Sequence, residues 1–392
     1  MLPLAFIDDL NGIARCGIES VALNTFLTTQ IEMKKLRLHT ADKKGKSKCV
    51  KLHVGRIRAH CPVLKVHGTN MPEVSEVTYL GDILSYDGKN YKNIKNRISK
   101  GIGIIAQIMN ILEDASFGHY YFEIALLLRE SMLINGTTTN AEIWYNFSQS
   151  DSQEFDNLDK LFFRRLLRVP KSTPIESFYL EMGAIPVSII IQMRRLNYLN
   201  SILRRGKSGM LYSFFITQWS NPSKGDWTEQ VKADLKEFEI PIDLDFIASK
   251  SKESFKKLVK TRAKELALIK LLKSKAKHSK MANLYYEEIK MQNYFIREDV
   301  KIEQKRMIFK YRTRMTEYGE NFRAGKVKVM CPFCNLHLDS QDLGYICPII
   351  QSNIDISGSY TDIYSENITR RTIETIEKML EYRKHNLPTG PK

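Results

Sequence analysis

The sequence predicts a mainly α protein with a small β part near its start. Two observations carry that class. Before residue 90 the apolar residues fall in short runs parted by turn-type residues, as in strands. From residue 91 they recur at steps of three and four over most of the chain, as on amphipathic helices. With 392 residues the chain is long enough for two or three domains with substantial cores.

The elements follow in order. Residues 3–9 are apolar up to an acid pair, Asp8-Asp9, and predict a short strand ending in a turn. "SVALNTFLTTQIEMKKLRL" has Val21, Leu23, Phe26, Leu27 and Ile31 near helical spacing. "TADKKGKSKCVKLHVG" reads as a basic loop entering a strand. "CPVLKVHGTNM" and "EVTYLGDILSYDGKN" predict a hairpin with Asp87-Gly88 as turn chemistry at its end.

From residue 91, Ile94, Ile98, Ile102, Ile105, Met109 and Leu112 form an apolar stripe, with Lys92, Lys95, Arg97 and Lys100 off it. Helices are expected over 119–135 and 151–168, the latter with capping-box spacing at Asp151 and Glu154. "PVSIIIQMRRLNYLNSILRRG" predicts another, closed by Gly206. "WSNPSKGDW" (219–227) is the turn-rich break expected at a domain boundary. Further helices are expected at 228–238, at 251–274 (Phe255, Val259, Leu266 and Ile269 on one side), along 274–324 and near 368–385.

Composition narrows the function classes. Sixty Lys+Arg against 44 Asp+Glu give a formal charge of +16, which favours polyanions, nucleic acid ahead of an anionic membrane. No apolar run reaches the length of a membrane span, since "EIALLLRESMLI" is cut by Arg129 and Glu130. The first residues carry no secretory pattern, so an intracellular protein is expected, nucleus or cytoplasm left open. Of six cysteines, three are scattered and three cluster near the C-terminal end, which in that setting reads as metal ligation before disulfides. No Gly-rich phosphate loop is present, and "GIGII" lacks the strand-then-helix context of a dinucleotide fingerprint.

Three constellations bear chemistry. Adjacent carboxylates at a strand–turn corner can hold divalent cations for phosphoryl transfer, because hard cations take oxygen ligands; the alternative is a solvated turn. The basic helices can track a phosphate backbone; the alternative is an ordinary solvated face. Their tyrosines and phenylalanines (285, 286, 294, 295, 309, 311) can stack bases, but at helical spacing such residues form core. In "CPFCNLHLDSQDLGYICP", Cys331, Cys334, His337 and Cys347 offer four thiol or imidazole ligands for tetrahedral zinc.

Taken together, "FIDDL", "GKSKC" (45–49), "VTYLGDIL" (77–84), "IKNRISKGIGIIAQIMNIL" and "INGTTTNAEIWY" resemble, in order and spacing, the reverse transcriptases of non-LTR (LINE-like) retroelements over roughly residues 4–205. Residues 206–350 look like the post-thumb region of one such group. The resemblance implies a partial palm with primer-grip hairpin over 1–90 and a helical thumb over 91–218. A basic helical region over 219–328, a degenerate zinc knuckle over 329–350 and a C-terminal helix and tail over 351–392 follow. It casts Asp8 and Asp9 as catalytic, magnesium-binding carboxylates and Tyr79, Leu80 and Gly81 as primer grip. Lys92, Lys95, Arg97 and Lys100 become phosphate contacts.

In that family fingers and the first half of the palm precede the acid pair and supply a further metal-binding aspartate. Here only MLPLA precedes it. The expectation is a C-terminal portion of a polymerase that binds RNA and DNA, is inactive alone, and is completed by another chain supplying the missing palm half. The alternative is a non-enzymatic nucleic-acid or protein interaction module derived from a retroelement. The knuckle departs from the family's Cys-Cys-His-Cys pattern: the histidine position, four before the last cysteine, is Leu343. Either His337 substitutes or three ligands remain.

Overall fold

The computed structural model describes residues 2–6, 9–13, 22, 25–26, 49–50, 63, 65–66, 69–70, 73–79, 81–87, 89–144, 147–206, 208–222, 225–278, 281–322 and 329–387. Most of these are helical, with a small β part, as the sequence predicts. The chain forms two compact units, Met1–Asn96 and Arg97–Lys392.

The first unit holds the strands. Leu2–Phe6 pairs antiparallel with Asp9–Ile13, with Phe6 opposite Asp9. Lys65–Val66 pairs with Thr69–Asn70, and Cys49–Val50 runs parallel to Glu73–Val74. Glu76–Tyr79 and Asp82–Ser85 make a second clear hairpin, Tyr79 opposite Asp82. Gly81, just before the second strand, has φ 85°, a region that costs glycine little.

Asp87 follows the hairpin's second strand in a turn, as expected, and Gly88 lies outside the described residues. Asp87 accepts hydrogen bonds from the Ser85 hydroxyl (2.6 Å) and the Lys89 amide (3.1 Å), shaping the entry to the next helix. Asn93 ties that helix to the hairpin: its amide donates to Asp82 at 2.8 Å, and its oxygen accepts from the Ile83 N–H at 3.2 Å. The expected helix around residues 20–38 lies outside the described residues apart from Ala22, Thr25 and Phe26, which are helical.

The 24-residue helix Tyr91–Asp114 begins in the first unit and continues in the second. Its buried face differs from the expected stripe. Ile94, Ile105, Ile108 and Leu112 are buried, Gly101 lies on the same face, and Ile102 is 47% exposed. From Gly101 the steps to Ile105, Ile108 and Leu112 are 4, 3 and 4, which keep a face in line on a helix of 3.6 residues per turn, and the glycine itself carries no apolar signal in the sequence. A Cβ at Gly101 would lie 2.6 Å from a Leu158 methyl and 2.8 Å from that of Thr137, so the glycine admits a close neighbour.

The second unit is built from helices around one continuous core running from Ile105 to Met379. Tyr121–Leu128 passes into a π-helical stretch, Arg129–Ile134, then come Gln149–Leu167, Ile175–Met182 and Val187–Arg204. Ser148, not Asp151, caps Gln149–Leu167, and the Asp151 carboxylate accepts a hydrogen bond from the Ser148 N–H. Gly206, φ 91°, follows Val187–Arg204 as expected.

The turn-rich 219–227 segment joins Met210–Ser220 to Trp227–Glu237 inside this unit. Trp227 packs against Tyr198 and Phe215 and donates to the Glu142 carbonyl at 2.8 Å. The chain thus divides into compact units at Asn96–Arg97 rather than there.

Lys252–Lys275 buries Phe255, Val259, Ala263, Ala267 and Leu271, while Ile269 is 63% exposed. The inner face is thus a run of i+4 steps through two alanines, which let this helix lie close against Val187–Arg204 and Ile175–Met182. Among the described residues of 274–324, α-helix is found at the end of Lys252–Lys275 and over Asn293–Ile296, Ile302–Arg312 and Gly319–Phe322. Of the six aromatics named there, Tyr286, Tyr294, Phe295, Phe309 and Tyr311 are buried in the core and Tyr285 is exposed. Arg370–Asn386 closes the unit.

Candidate metal centre and basic surfaces

The cysteine cluster sits on a loop held at several points. Between Val329 and Asp339 the backbone doubles back, with Met330 bridging Leu338, the Asp339 N–H donating to Val329 at 2.7 Å, and the Cys331 N–H donating to the His337 carbonyl at 2.7 Å. Arg383, on the last helix, grips both Asp339 carboxylate oxygens at 2.7 and 2.8 Å, and the Gly319 amide donates to the same carboxylate at 2.7 Å. This buried fork is the strongest kind of side-chain pairing and fixes the loop against the core. Leu343, at the position where the resembled knuckles have histidine, is fully buried in that core.

The loop brings three thiols together. One sulfur atom each from Cys331, Cys334 and Cys347 lies within 4.8 Å of the other two, and Cys331 and Cys347 are 3.8 Å apart. No disulfide joins them. Burial pushes the Cys331 thiol up to about 11, opposed by the N–H groups of Cys334 and Phe333, the latter 3.4 Å from its sulfur. Burial also raises Cys334, but the N–H groups of Leu336 and His337 outweigh it and hold that thiol below the usual range.

Backbone donors aimed at sulfur stabilise thiolate, the form that ligates metal. Three close cysteines can therefore hold a metal ion, and they form the one such group of three or more ligands among the described residues. His337 contributes its backbone carbonyl to the loop, and its ring is not among the clustered groups. Three of the four expected ligands are thus brought together.

The other predicted residues are placed as follows. Asp8 lies outside the described residues, and Asp9 opens the second strand. No group of three or more carboxylates close enough to share a metal ion occurs among the described residues, and magnesium is not supported. Tyr79 and Gly81 flank the hairpin connection, and Leu80 lies outside the described residues.

Lys92 is ion-paired with Glu76, which raises its pKa. Lys95 and Lys100 are exposed. Arg97 is buried and turned inward, its guanidinium 3.5 Å from the Gly136 carbonyl. The basic set thus divides: two lysines face outward free of the helix's own packing, and the arginine stabilises the fold.

A second basic feature joins two parts of the sequence: Arg204 and Arg205, which the sequence marks only as a helix end, line a cavity of about 300 Å³ together with Lys252 and Lys256 of the lysine-rich helix. The signal was the "LRRG" helix end, whose partner lysines lie almost fifty residues away. Comparison of the chain with protein-family models, curated proteins and solved structures found no match.

Proposed function

We propose that this protein binds nucleic acid, is related in descent to the palm and thumb of non-LTR reverse transcriptases, and carries a structural zinc ion on Cys331, Cys334 and Cys347. The supporting observation is a succession: the hairpin at "FIDDL", the hairpin at "VTYLGDIL", then a 24-residue helix with Lys95 and Lys100 exposed. These are the quoted motifs in the order the resemblance requires. The formal charge of +16 supports a polyanionic partner.

Two-metal nucleotidyl transfer needs more oxygen ligands than one acid pair, and a nucleotide held in line for attack. A polypeptide of these 392 residues is therefore expected to bind RNA and DNA without extending a primer. A template-dependent extension assay tests this: Mg-dependent incorporation that Asp8→Ala abolishes overturns it. Thiolate ligands and tetrahedral preference make zinc the metal of choice, its fourth position taken by a ligand other than cysteine. Metal analysis of purified protein tests that part, one zinc per chain being expected.

A further inference from the structure

The cavity between the end of helix Val187–Arg204 and the start of helix Lys252–Lys275 has the chemistry of an anion site. Four cationic side chains line it, Arg204 and Arg205 from one side and Lys252 and Lys256 from the other. No aspartate or glutamate is among its lining residues, and none of the four cations is ion-paired among the described residues. All four are exposed, so water reaches them and a ligand can too. Four unpaired like charges within one cavity repel one another, a cost that a bound polyanion removes.

The cavity is preformed. Asn200, buried on its floor, donates its amide to the Ile247 carbonyl at 2.8 Å and to the Lys250 carbonyl at 3.4 Å. Those bonds fix the loop that delivers Lys252, and Ser251 caps the helix by accepting from the Ser254 N–H at 3.1 Å. The first turn of a 24-residue helix therefore opens beside the cavity, adding the partial positive charge of its N-terminus to the four side chains. Ser201 and Asn197 complete the lining with neutral polar groups that suit phosphate or ribose oxygens.

We propose that this cavity seats a backbone phosphate of a nucleic-acid strand, with the two arginines and two lysines as its contacts. The proposal rests on the nucleic-acid reading above and adds a site to it. A volume near 300 Å³ fits one phosphodiester and part of its sugars. Contacts of this kind carry no base preference and release counterions on binding.

The test is a salt titration of binding to single-stranded RNA by fluorescence anisotropy, using the full chain. The variants are Arg205→Gln/Lys256→Gln in the cavity and Lys260→Gln/Lys264→Gln, two exposed lysines outside it on the same helix. All four side chains are exposed, so thermal melting is expected to stay at the wild-type value in both. The cavity variant is expected to bind several-fold more weakly and to lose about 0.7–1.4 from the magnitude of its log–log salt slope, one to two contacts at about 0.7 each. The control is expected to change little.

Wild-type RNA binding left untouched by the cavity substitutions overturns the site while leaving the nucleic-acid reading standing. Absence of any wild-type binding at low salt overturns both. A parallel arm uses vesicles containing anionic phospholipid; loss of vesicle binding with RNA binding intact assigns the cavity to a membrane and overturns the proposal.

Discussion

The Arg312 guanidinium places its Nε 3.1 and 3.0 Å from the two carboxylate oxygens of Glu181, with both side chains buried. Tyr294 donates its hydroxyl to the same carboxylate at 2.7 Å, Tyr286 does likewise, and Arg312 Nη1 reaches the Ile363 carbonyl at 2.7 Å. Burial works against the charge of Arg312, but Glu181 outweighs it and its pKa is raised. The knot joins Ile175–Met182, the irregular stretch that holds Tyr286, the short helix Asn293–Ile296, Ile302–Arg312 and residues just before the last helix. Glu181→Ala strands a buried guanidinium, so a loss of about 3–5 kcal/mol is expected, read by urea unfolding. A loss below about 1 kcal/mol contradicts the placement.

Beside it, Gly183 is required by geometry. It has φ 69°, and a Cβ there would meet the Met291 amide nitrogen at 2.2 Å and the Lys290 carbonyl carbon at 2.4 Å. Backbone cannot yield as a side chain does. Gly183→Ala is expected to cost roughly 3 kcal/mol or more, through both the close contact and the left-handed backbone. Gly103→Ala, with open space around its Cβ position, is the comparison and is expected to be neutral or slightly stabilising.

Asp156 gives a pH signature. Burial, followed by the charges of Asp159 and Glu176, pushes its carboxyl up to about 6, and one of its oxygens is buried without a partner. A raised acid pKa means the native state holds a proton that the unfolded chain has released. Stability from this group is therefore present below its ordinary value near 4 and is lost as pH rises toward 6. Asp156→Asn is expected to remove that slope and raise stability at pH 7 by up to about 3 kcal/mol, at about 1.4 kcal/mol per pKa unit. Unfolding measured from pH 4 to 7 checks it, and an unchanged slope in the variant contradicts it.

Metal removal tests the cysteine centre. Zinc analysis of purified protein is expected to give one ion per chain, falling to near zero in Cys347→Ser, whose sulfur sits 3.8 Å from that of Cys331. Chelation is expected to lower the melting temperature of wild type and leave Cys347→Ser unmoved. A metal content near zero in the wild-type protein removes the site.

What the sequence disclosed and withheld has physical reasons. Helix positions over 91–206, 228–274 and near 370–386 were legible because large apolar residues recur there at helical steps, whereas the described part of 276–292 is largely irregular and Met210–Ser220 carried no such signal. The inner faces were misjudged where small residues do the packing: Gly101, Ala263 and Ala267 carry no hydropathy signal, yet they set how close neighbouring helices come. Arg97 sits among lysines in the sequence but folds inward, since its position adjoins the buried face.

The C-x2-C spacing pointed to thiols that the fold brings within ligating distance of a third, Cys347. Sequence order alone did not disclose that His337 would lend its carbonyl rather than its ring, because backbone turns decide that. The Arg383–Asp339 fork and the four-cation cavity join residues over forty apart, which no local pattern reveals.

Equilibrium binding of the full chain to RNA and to duplex DNA across a range of salt concentrations tests the central claim most directly. The account predicts a steep linear fall of log affinity with log salt, little base preference, and a shallower slope after Lys95→Gln/Lys100→Gln. Affinity that stays flat as salt rises, or no binding at low salt, contradicts it.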